Sequence, residues 1–364
     1  MAAPDHLLYT PQQVANSTLA AVRYQSTLAR IVSQDYSSEI VQGRGSSVTI
    51  KRPIMIDPAK VYTAEDRKAE RAIQYSNLVE PYLSVKLTDQ VYNAVKLPDD
   101  FQTFTLQDIE QQVVAPMAQS VADHLNTVVA EAFKKAPEGL TAIDKAAKGK
   151  LVDKAGKSHN TITELREAGS EFAGFGAGIT GNGALKAERL TAKTNKDVLA
   201  TIRAAHQLLG LRGVPTMNRY LVVGSAWEAA LMSQDILNKV NQAGTDGLLR
   251  QATLGNLYGF TVVVDYSIDA LKAYAFQRDG VALLTRTTAI PRGAAFAQTV
   301  AQDGFSLRYL QDYDPDHLTD RAVVDTFAGA ELIDPQRVVT LTGADGFEEP
   351  AAAPSAPAGD SSSR

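Results

Sequence analysis

Residues 105–133 read TLQDIEQQVVAPMAQSVADHLNTVVAEAF, and this stretch has the clearest helical pattern in the chain. Thr105 and Asp108 have the spacing of an N-terminal cap with an acid in the first turn. Apolar side chains then recur every three or four residues, at Leu106, Ile109, Val113, Met117, Val121, Leu125 and Val128. A helix over Leu106–Phe133, about 28 residues, would be a rod of roughly 42 Å. Pro116 in its interior predicts a kink, because proline removes one backbone hydrogen bond.

The sequence before this helix predicts one helix and two strands. A loose apolar stripe over Pro11–Ile31 indicates a helix, with Thr10 as its cap. The segment Ser47–Pro53 alternates apolar and polar residues and ends at proline, which is typical of a short strand. A second strand is predicted over Leu83–Leu97, where the apolar residues share one parity.

The connection between these strands, Ile54–Tyr82, is too long for an ordinary loop of a compact domain. Its centre, Lys60–Arg71, is dense in charges of both signs. One interpretation is a solvated loop. The other is an extended two-stranded arm that packs on a neighbouring subunit.

The second half of the chain divides into a lysine-rich and glycine-rich part and a strand-rich part. Ala136–Leu190 contains the glycine run of residues 174–183 and is interpreted as an insertion or mobile surface element. A helix is predicted over Val198–Gly210 and a capping box at Ser225–Glu228. The predicted strands are Arg219–Val223, Phe260–Val264, Tyr274–Phe276, Ala282–Thr285, Phe305–Tyr313, Ala322–Phe327 and Val338–Leu341. The tail from Glu348 is poor in apolar residues and is predicted to be disordered.

The composition excludes several classes of chemistry. The chain has no cysteine, so disulfides, thiolate nucleophiles and cysteine-based metal centres are impossible. The formal charge of −5 argues against capture of free nucleic acid by the whole molecule, which needs a basic face. The N-terminus predicts no secretory signal, and the apolar runs are too short to cross a membrane.

Three motifs have a chemical and a structural interpretation. Gly176–Gly181 spells a dinucleotide fingerprint, but the residues before it are not an apolar strand, which favours a loop. Asp312, Asp314 and Asp316 have calcium-loop spacing, yet His317 and Val323 occupy the required glycine and glutamate positions, which favours a polar turn. The lysines of 134–157 could touch phosphates or an acidic partner, or be a solvated surface.

The histidines form no catalytic or metal-binding pattern. The five, none of them in an HExxH arrangement, are His6, His124, His159, His206 and His317. His124 is predicted to pack beside the apolar stripe of the long helix. No nucleophile elbow or phosphate loop is present, so the sequence predicts no catalytic residue, no cofactor and no metal ligand.

The order of these parts resembles the major capsid proteins of tailed phages, whose fold is shared with encapsulin shells. Individual phrases are most similar to the coat-protein family of short-tailed Salmonella phages. These phrases are Thr10–Ala15 (TPQQVA), Pro81–Leu97, Pro116 with the alanine-rich turn after it, Gly255–Asp265 (GNLYGFTVVVD), Asp312–Asp316 (DYDPD) and Ala322–Gly329 (AVVDTFAG). The resemblance covers nearly the whole chain except Ala136–Leu190 and the tail.

The resemblance implies an α+β capsid fold with a defined division of the chain. The implied parts are an N-terminal arm (1–46), an extended loop (47–100), the spine helix of a peripheral domain (101–135), the insertion (136–196), an axial domain (197–310), a return to the peripheral domain (311–347) and the tail (348–364). The insertion does not lie where the Salmonella phage coat carries its large inserted domain.

The implied function is self-assembly of an icosahedral shell, from hexamers and pentamers, around double-stranded DNA that is contacted without sequence specificity. The implied partners are a separate scaffolding protein and a portal, with no membrane, and the location is the virion after assembly in the host cytoplasm. The candidate intersubunit contacts are the charged residues Lys60, Glu65, Asp66, Arg67, Lys68, Glu70 and Arg71. An encapsulin-type compartment is the first alternative, and an unrelated α/β enzyme the second.

Overall fold

The computed structural model describes residues 11–36, 47–51, 57, 59–73, 75, 82–87, 89–98, 113–179, 187–234, 255–293 and 296–344. The helices are α1 (Pro11–Gln25), α2 (Leu28–Ile31), α3 (Ala64–Lys68), α4 (Ala115–Lys134), α5 (Ala142–Lys145), α6 (Ile162–Glu167), α7 (Val198–Leu211) and α8 (Ser225–Met232). The first strands are β1 (Ser47–Lys51), β2 (Tyr82–Lys86), β3 (Asp89–Pro98), β4 (Leu151–Asp153), β5 (Ser158–His159), β6 (Phe172–Phe175), β7 (Thr191–Ala192) and β8 (Arg219–Val223). The later strands are β9 (Asn256–Leu257), β10 (Phe260–Val264), β11 (Lys272–Gln277), β12 (Val281–Arg286), β13 (Phe296–Gln302), β14 (Phe305–Asp314), β15 (Thr319–Leu332) and β16 (Val338–Gly343).

One core lies between α4 and an antiparallel sheet. In that sheet β15 is central: it pairs with β14 and β12 on one side and with β3 on the other, and β13 follows β14. The apolar stripe of α4 is buried against it, including Val121, Leu125 and Phe133. Leu19 and Val22 of α1 join the same core. The N-terminal helix is therefore part of the subunit's own core in addition to any contact that it makes elsewhere.

A second core lies between α7, α8 and a six-stranded sheet. The strand order is β7-β16-β11-β8-β10-β9, with β8 and β10 parallel and β11 antiparallel to its neighbours. Trp227 of α8 is fully buried here, and its indole N–H donates to the Leu271 carbonyl (2.9 Å). Apolar residues of α7 at helical spacing, such as Ile202 and Leu209, cover the same sheet.

The segment 136–179 is folded and not simply a mobile surface element, which corrects part of the expectation for it. Strands β4, β5 and β6 form a three-stranded sheet, and Leu151, Ile162 and Leu165 make a small buried core beside it. We call residues 136–179 the small subdomain. The sequence did not predict this sheet, because three short strands with few apolar residues leave almost no periodic pattern.

The long helix differs from the prediction at its start and along one face. The α-helix begins at Ala115, which places Pro116 in its first turn. Val113 and Val114 before it are π-helical and buried, while residues 99–112, with the predicted cap at Thr105, lie outside the described residues. Val128 is only half-buried and Val129 is fully buried in its place. His124, expected to pack, is exposed.

Several predicted elements are divided in the structure. The strand predicted over Leu83–Leu97 is two strands, β2 and β3, because the chain changes partner from β1 to β15. The predicted N-terminal helix breaks at Ser26–Thr27 into α1 and α2. At α8 the cap is Gly224, without a side-chain hydrogen bond, so the capping box at Ser225 is wrong.

The sheets also divide the C-terminal half differently from the predicted boundary at residue 310. Strands β12, β13 and most of β14, placed in the axial part, pair in the sheet that contains β15. Strand β16, placed in the return, pairs with β11 in the six-stranded sheet. The chain thus crosses between the two sheets near residues 278–280 and again near residues 333–337.

Candidate intersubunit surfaces

A two-stranded arm leaves the body of the subunit at β1 and β2. The strands are antiparallel and in register from Ser47 opposite Lys86 to Lys51 opposite Tyr82. The inward residues of the arm, such as Ile50 and Val85, are buried against Ala282 and Leu284 of β12 and against Ile333. The alternation of these strands therefore anchors the base of the arm on its own subunit.

The tip of the arm, by which we mean the described residues 59–73 and 75, has local structure of its own. Helix α3 is capped by Thr63, whose hydroxyl accepts from the Asp66 N–H (3.2 Å) while the Asp66 carboxylate accepts from the Thr63 N–H (3.1 Å). Arg71 donates to Asp66 (2.9 Å), and the Tyr62 hydroxyl donates to the Arg71 carbonyl (2.9 Å). The Thr63 hydroxyl also donates to the Asp66 carboxylate (2.7 Å), and this bond, with those from the Thr63 N–H and Arg71, holds the pKa of Asp66 below its usual range. Residues 62–71 thus form a short, hydrogen-bonded, preformed turn.

The structure brings the seven predicted contact residues together at this tip but does not leave all of them free. Asp66 and Arg71 pair with each other, and the Lys60 ammonium lies 3.8 Å from Asp57. The remaining four are exposed: Glu65, Arg67, Lys68 and Glu70. Asp66 and Arg71 therefore shape the tip, while these four present mixed charge to the solvent.

Sequence reasoning missed the apolar residues of the same tip. Val61 is 85% exposed, Tyr75 92% and Ile73 66%. Exposed apolar side chains that lie close together mark contact surfaces on soluble proteins. These residues could have been found from the sequence, because apolar side chains within a charge-dense segment have no nearby apolar core in which to be buried.

The arm also contacts the small subdomain of the same chain. The Asp57 carboxylate accepts from the Ile162 N–H (2.9 Å) in the first turn of α6, and its side chain is nearly buried. A carboxylate is favourable at a helix N-terminus. The arm therefore makes a contact within its own chain as well as any that it makes with a neighbouring subunit.

The aspartates of residues 312–316 belong to the hairpin between β14 and β15, as the polar-turn interpretation predicted. Arg321 donates to Asp312 (3.0 Å) across the hairpin, and Asp314 pairs with His317 (3.0 Å). Burial by itself would raise the pKa of Asp314, but the His317 and Asp316 hydrogen bonds and the cationic side chains lower it. Among the described residues, no three acidic or histidine side chains converge as metal ligands would.

The glycines of the fingerprint motif serve close packing. A Cβ on Gly176 would lie 2.5 Å from the Ala147 carbonyl oxygen, and one on Gly178 would lie 2.8 Å from the Lys148 nitrogen. The Gly176 N–H donates to the Lys150 carbonyl (2.7 Å). Residues 176–178 therefore pack closely against the backbone of residues 146–150, and residues 180–186 lie outside the described residues.

Two buried ion pairs fix the body on which these surfaces are carried. Asp325 of β15 accepts from Arg308 (2.8 Å), Gln90 (2.6 Å) and Thr288 (2.7 Å), which ties β3 to β14. In the small subdomain, Asp144 accepts two hydrogen bonds from Arg212 (2.8 and 2.9 Å). Burial tends to raise the pKa of Asp144, but the Arg212 hydrogen bonds and charge outweigh it and lower the pKa.

Arg212 also joins the small subdomain to the six-stranded sheet. Its guanidinium donates to the carbonyls of Gln336 (2.9 Å) and Val338 (3.0 Å), just before and at the start of β16. With both partners almost fully buried, this pair is a strong geometric constraint. The small subdomain is therefore held in a fixed position on the body.

The arrangement of two sheets, a long helix and a projecting arm defines a class of shell-building proteins, the capsid subunits of phages. Among the solved structures that share the fold are chains from three phages. The chain is 16% identical to a Mycobacterium phage Che8 chain (86% of this chain and 90% of that chain covered, TM-score 0.54). It is 11% identical to a chain of the bacteriophage PhiM1 mature capsid (84% and 84%, TM-score 0.51) and 10% identical to one of the cyanophage P-SCSP1u capsid (83% and 84%, TM-score 0.50).

Residues 99–340 match the family model described as phage capsid protein, and the chain belongs to this family. It is accordingly a major capsid protein, a structural component of the phage head and not an enzyme. The α+β capsid fold expected from the sequence is confirmed, and the family match does not favour the encapsulin-type alternative. A comparison with curated protein sequences finds no match. Among the described helices, none is long and apolar enough to cross a membrane.

Proposed function

We propose that this chain assembles as hexamers and pentamers into the icosahedral head of a tailed phage that encloses double-stranded DNA. Assembly takes place in the host cytoplasm around a separate scaffolding protein, with a portal at one vertex. The order of its sequence phrases supports a closer relation to the coat proteins of short-tailed Salmonella phages. The six-stranded sheet with α7 and α8 corresponds to the axial domain, and the sheet packed on α4 to the peripheral domain.

The observation that carries the proposal is the composition of the arm's tip. Val61, Ile73 and Tyr75 are exposed beside the charges of α3, although the base of the arm is well packed. A subunit that acted alone would gain nothing from such a surface, whereas a neighbour can bury it. In a closed shell each weak contact is repeated in every subunit, so small free energies add up.

The seven charged residues of the tip have two roles in this proposal. Glu65, Arg67, Lys68 and Glu70 pair with complementary charges of a neighbouring subunit. Asp66 and Arg71 pair with each other and Lys60 lies beside Asp57, so these three support the arm's own structure. Each exposed pair contributes only about 0.2–1 kcal/mol. High salt weakens these contacts, since the Debye length falls to roughly 3 Å at 1 M.

The test replaces Lys60–Arg71 by a short Gly-Ser linker and compares shells and free subunits. We expect the melting temperature of the free subunit to change by no more than a few degrees, because within the chain the replaced segment makes contacts mainly with itself. Electron microscopy of the protein coexpressed with its scaffolding protein should show no shells or deformed ones. Normal shells would overturn the proposed role of the tip. Unfolding of the free subunit would show that the tip belongs to its core.

A matched variant separates apolar from charged contacts. Serine at Val61, Ile73 and Tyr75 removes the exposed apolar area and keeps every charge of the tip. We expect this variant to lose shells at all salt concentrations, whereas neutralising Glu65, Arg67, Lys68 and Glu70 should weaken assembly mainly at low salt. If shell formation by the two variants depended on salt in the same way, the apolar and the charged residues of the tip would not have distinct roles.

A further inference from the structure

The small subdomain presents five exposed lysines within thirteen residues, and we call them the lysine face. They are Lys145, Lys148, Lys150, Lys154 and Lys157. Lys154 pairs with Glu171, while the side chains of the other four form no ion pair with any residue that the structure describes. This concentration of positive charge belongs to a chain whose formal net charge is −5.

The acids of the same stretch are turned inward. Asp144 is fully buried and bound by Arg212, and Asp153 is buried beside His159 (2.9 Å). Asp153 also accepts from the Lys157 N–H (2.8 Å), so its carboxylate serves the turn between β4 and β5. Counting charges along the sequence therefore underestimates how basic the surface of this segment is.

The lysines are held on a fixed support. Lys150 and Lys154 flank β4, the central strand of the three-stranded sheet, whose three residues are all buried. The Asp144–Arg212 pair fastens the subdomain to the six-stranded sheet. Fixed positive charges bind a polyanion better than those of a mobile chain, because less conformational entropy is lost.

The residues around the lysines indicate which kind of polyanion fits. Between residues 142 and 158 no large apolar side chain is exposed, and the neighbours of the lysines include Ala147, Gly149, Ala155 and Gly156. Protein–protein interfaces need buried aromatic or aliphatic anchors and are depleted in lysine. Contacts to a nucleic-acid backbone need positive charge and room for the phosphate, and no anchor.

We propose that the lysine face binds the sugar-phosphate backbone of double-stranded DNA, without sequence specificity. This inference rests on the proposed function, since a DNA-filled head supplies the ligand at high local concentration. The contact is weak and reversible. One basic patch of each subunit then attracts the DNA, although the subunit as a whole has a net negative charge.

The experiment measures binding of the purified, unassembled full-length protein to a fluorescent 20-base-pair duplex by anisotropy over a range of salt concentrations. If all five lysines contact phosphates, the slope of log K against log salt should approach about −4.5, at ~0.9 per contact. Glutamine at all five positions should weaken binding at least ten-fold at 50 mM salt and flatten the slope. Arginine at all five should restore binding, because the charge is kept.

The control variant removes the same number of positive charges elsewhere. Glutamine at the exposed residues Lys86, Lys96, Lys193, Lys196 and Arg292 lowers the net charge equally and should leave most of the binding intact. Equal loss in both variants would show that net charge alone acts and would overturn the proposal. Absence of DNA binding by the native protein would also overturn the proposal. Equal affinity for poly-glutamate and for DNA would overturn it too, and would indicate an acidic protein partner.

Shell formation is scored separately on the same variants by electron microscopy. Loss of DNA binding in the lysine variant with intact shells supports the DNA contact. If the native protein forms shells but does not bind DNA, the DNA contact is wrong and the proposed function is unaffected. Native protein that binds DNA through these lysines but never forms shells overturns the proposed function instead.

Discussion

At the scale of single residues, the stability of this subunit depends on the apolar side chains buried between α4 and the sheet of β15, and on the pairing of Asp144 with Arg212. Val121 is 1% exposed and lies in the core between α4 and the sheet of β15. Asp144 is fully buried and relies on one arginine for its charge compensation. Both positions tolerate little change, because buried charge without a partner is costly.

Aspartate at Val121 should destabilise the subunit by several kcal/mol, since an uncompensated carboxylate would be placed in an apolar core. Chemical denaturation of the purified variant measures the free energy of unfolding. Aspartate at His124, exposed on the same helix, is the control and should cost less than about 1 kcal/mol. A soluble Val121→Asp variant that assembles normally would show that the assigned face of α4 is wrong.

The Asp144–Arg212 pair predicts a pH dependence with a defined sign. The pKa of Asp144 is lowered in the folded state, so its stabilising effect is present above the unfolded pKa and disappears as pH falls through the folded value. Asparagine at Asp144 should cost about 3–5 kcal/mol at pH 7. The difference in melting temperature from the native protein should shrink below about pH 4.

The exposed pair of Asp312 and Arg321 provides the comparison for this prediction. Asparagine at Asp312 should change stability by less than about 1 kcal/mol, because solvent screens the pair. If both substitutions have the same small effect at pH 7, the Asp144–Arg212 pair does not hold the small subdomain in place.

At the scale of elements, the arm divides into a base that belongs to the subunit and a tip that serves its neighbours. Alternation along β1 and β2 places Ile50 and Val85 in a cluster with β12, whereas the tip beyond them buries almost nothing. The pairing of β3 with β15 then returns the chain to the main sheet. The stability of the base and the assembly function of the tip should therefore respond to different substitutions.

Alanine at Ile50, which is fully buried, should destabilise the base of the arm by about 2–4 kcal/mol through lost burial and a cavity. Hydrogen exchange of β1 and β2 should accelerate more than that of α4, because the cluster lies beside the arm. Alanine at Val61 is the control and should leave exchange of both strands unchanged. Equal exchange in the native and Ile50→Ala proteins would mean that the arm is not anchored through this cluster.

At the scale of the whole molecule, two cores and a small subdomain are joined by chain crossings and by buried ion pairs. Arg212 links the subdomain to β16, and Asp325 links β3 to β14. Residues 345–364 lie outside the described residues, and their sequence offers little apolar area to support packing.

Truncation after Phe347 should accordingly leave both stability and shell assembly intact. Proline, alanine and serine contribute too little burial to offset the entropy lost on ordering. Electron microscopy and calorimetry of the truncated protein test this. Loss of particles, with an unchanged melting temperature, would show instead that the tail contacts another subunit.

The sequence by itself determined the elements whose periodicity is local. Spacing alone predicted the helices at α4 and α7 and the shared parity of Leu83, Val85, Val91 and Leu97. It also predicted strands β8, β10, β11, β12, β14, β15 and β16, but not β9 or β13. The charged tip was also visible, because a long polar segment without a core stands out from its surroundings. Periodicity reports which side of an element is apolar, and burial follows that side.

Only the tertiary structure decided which elements pair and which charges remain exposed. The split of Leu83–Leu97 into β2 and β3, the crossing of β16 into the six-stranded sheet and the burial of Asp144 and Asp153 depend on partners far along the chain. A residue's own neighbours carry no information about such partners. Strand pairing and ion pairing are contacts between distant segments, and they exist only once the chain has folded.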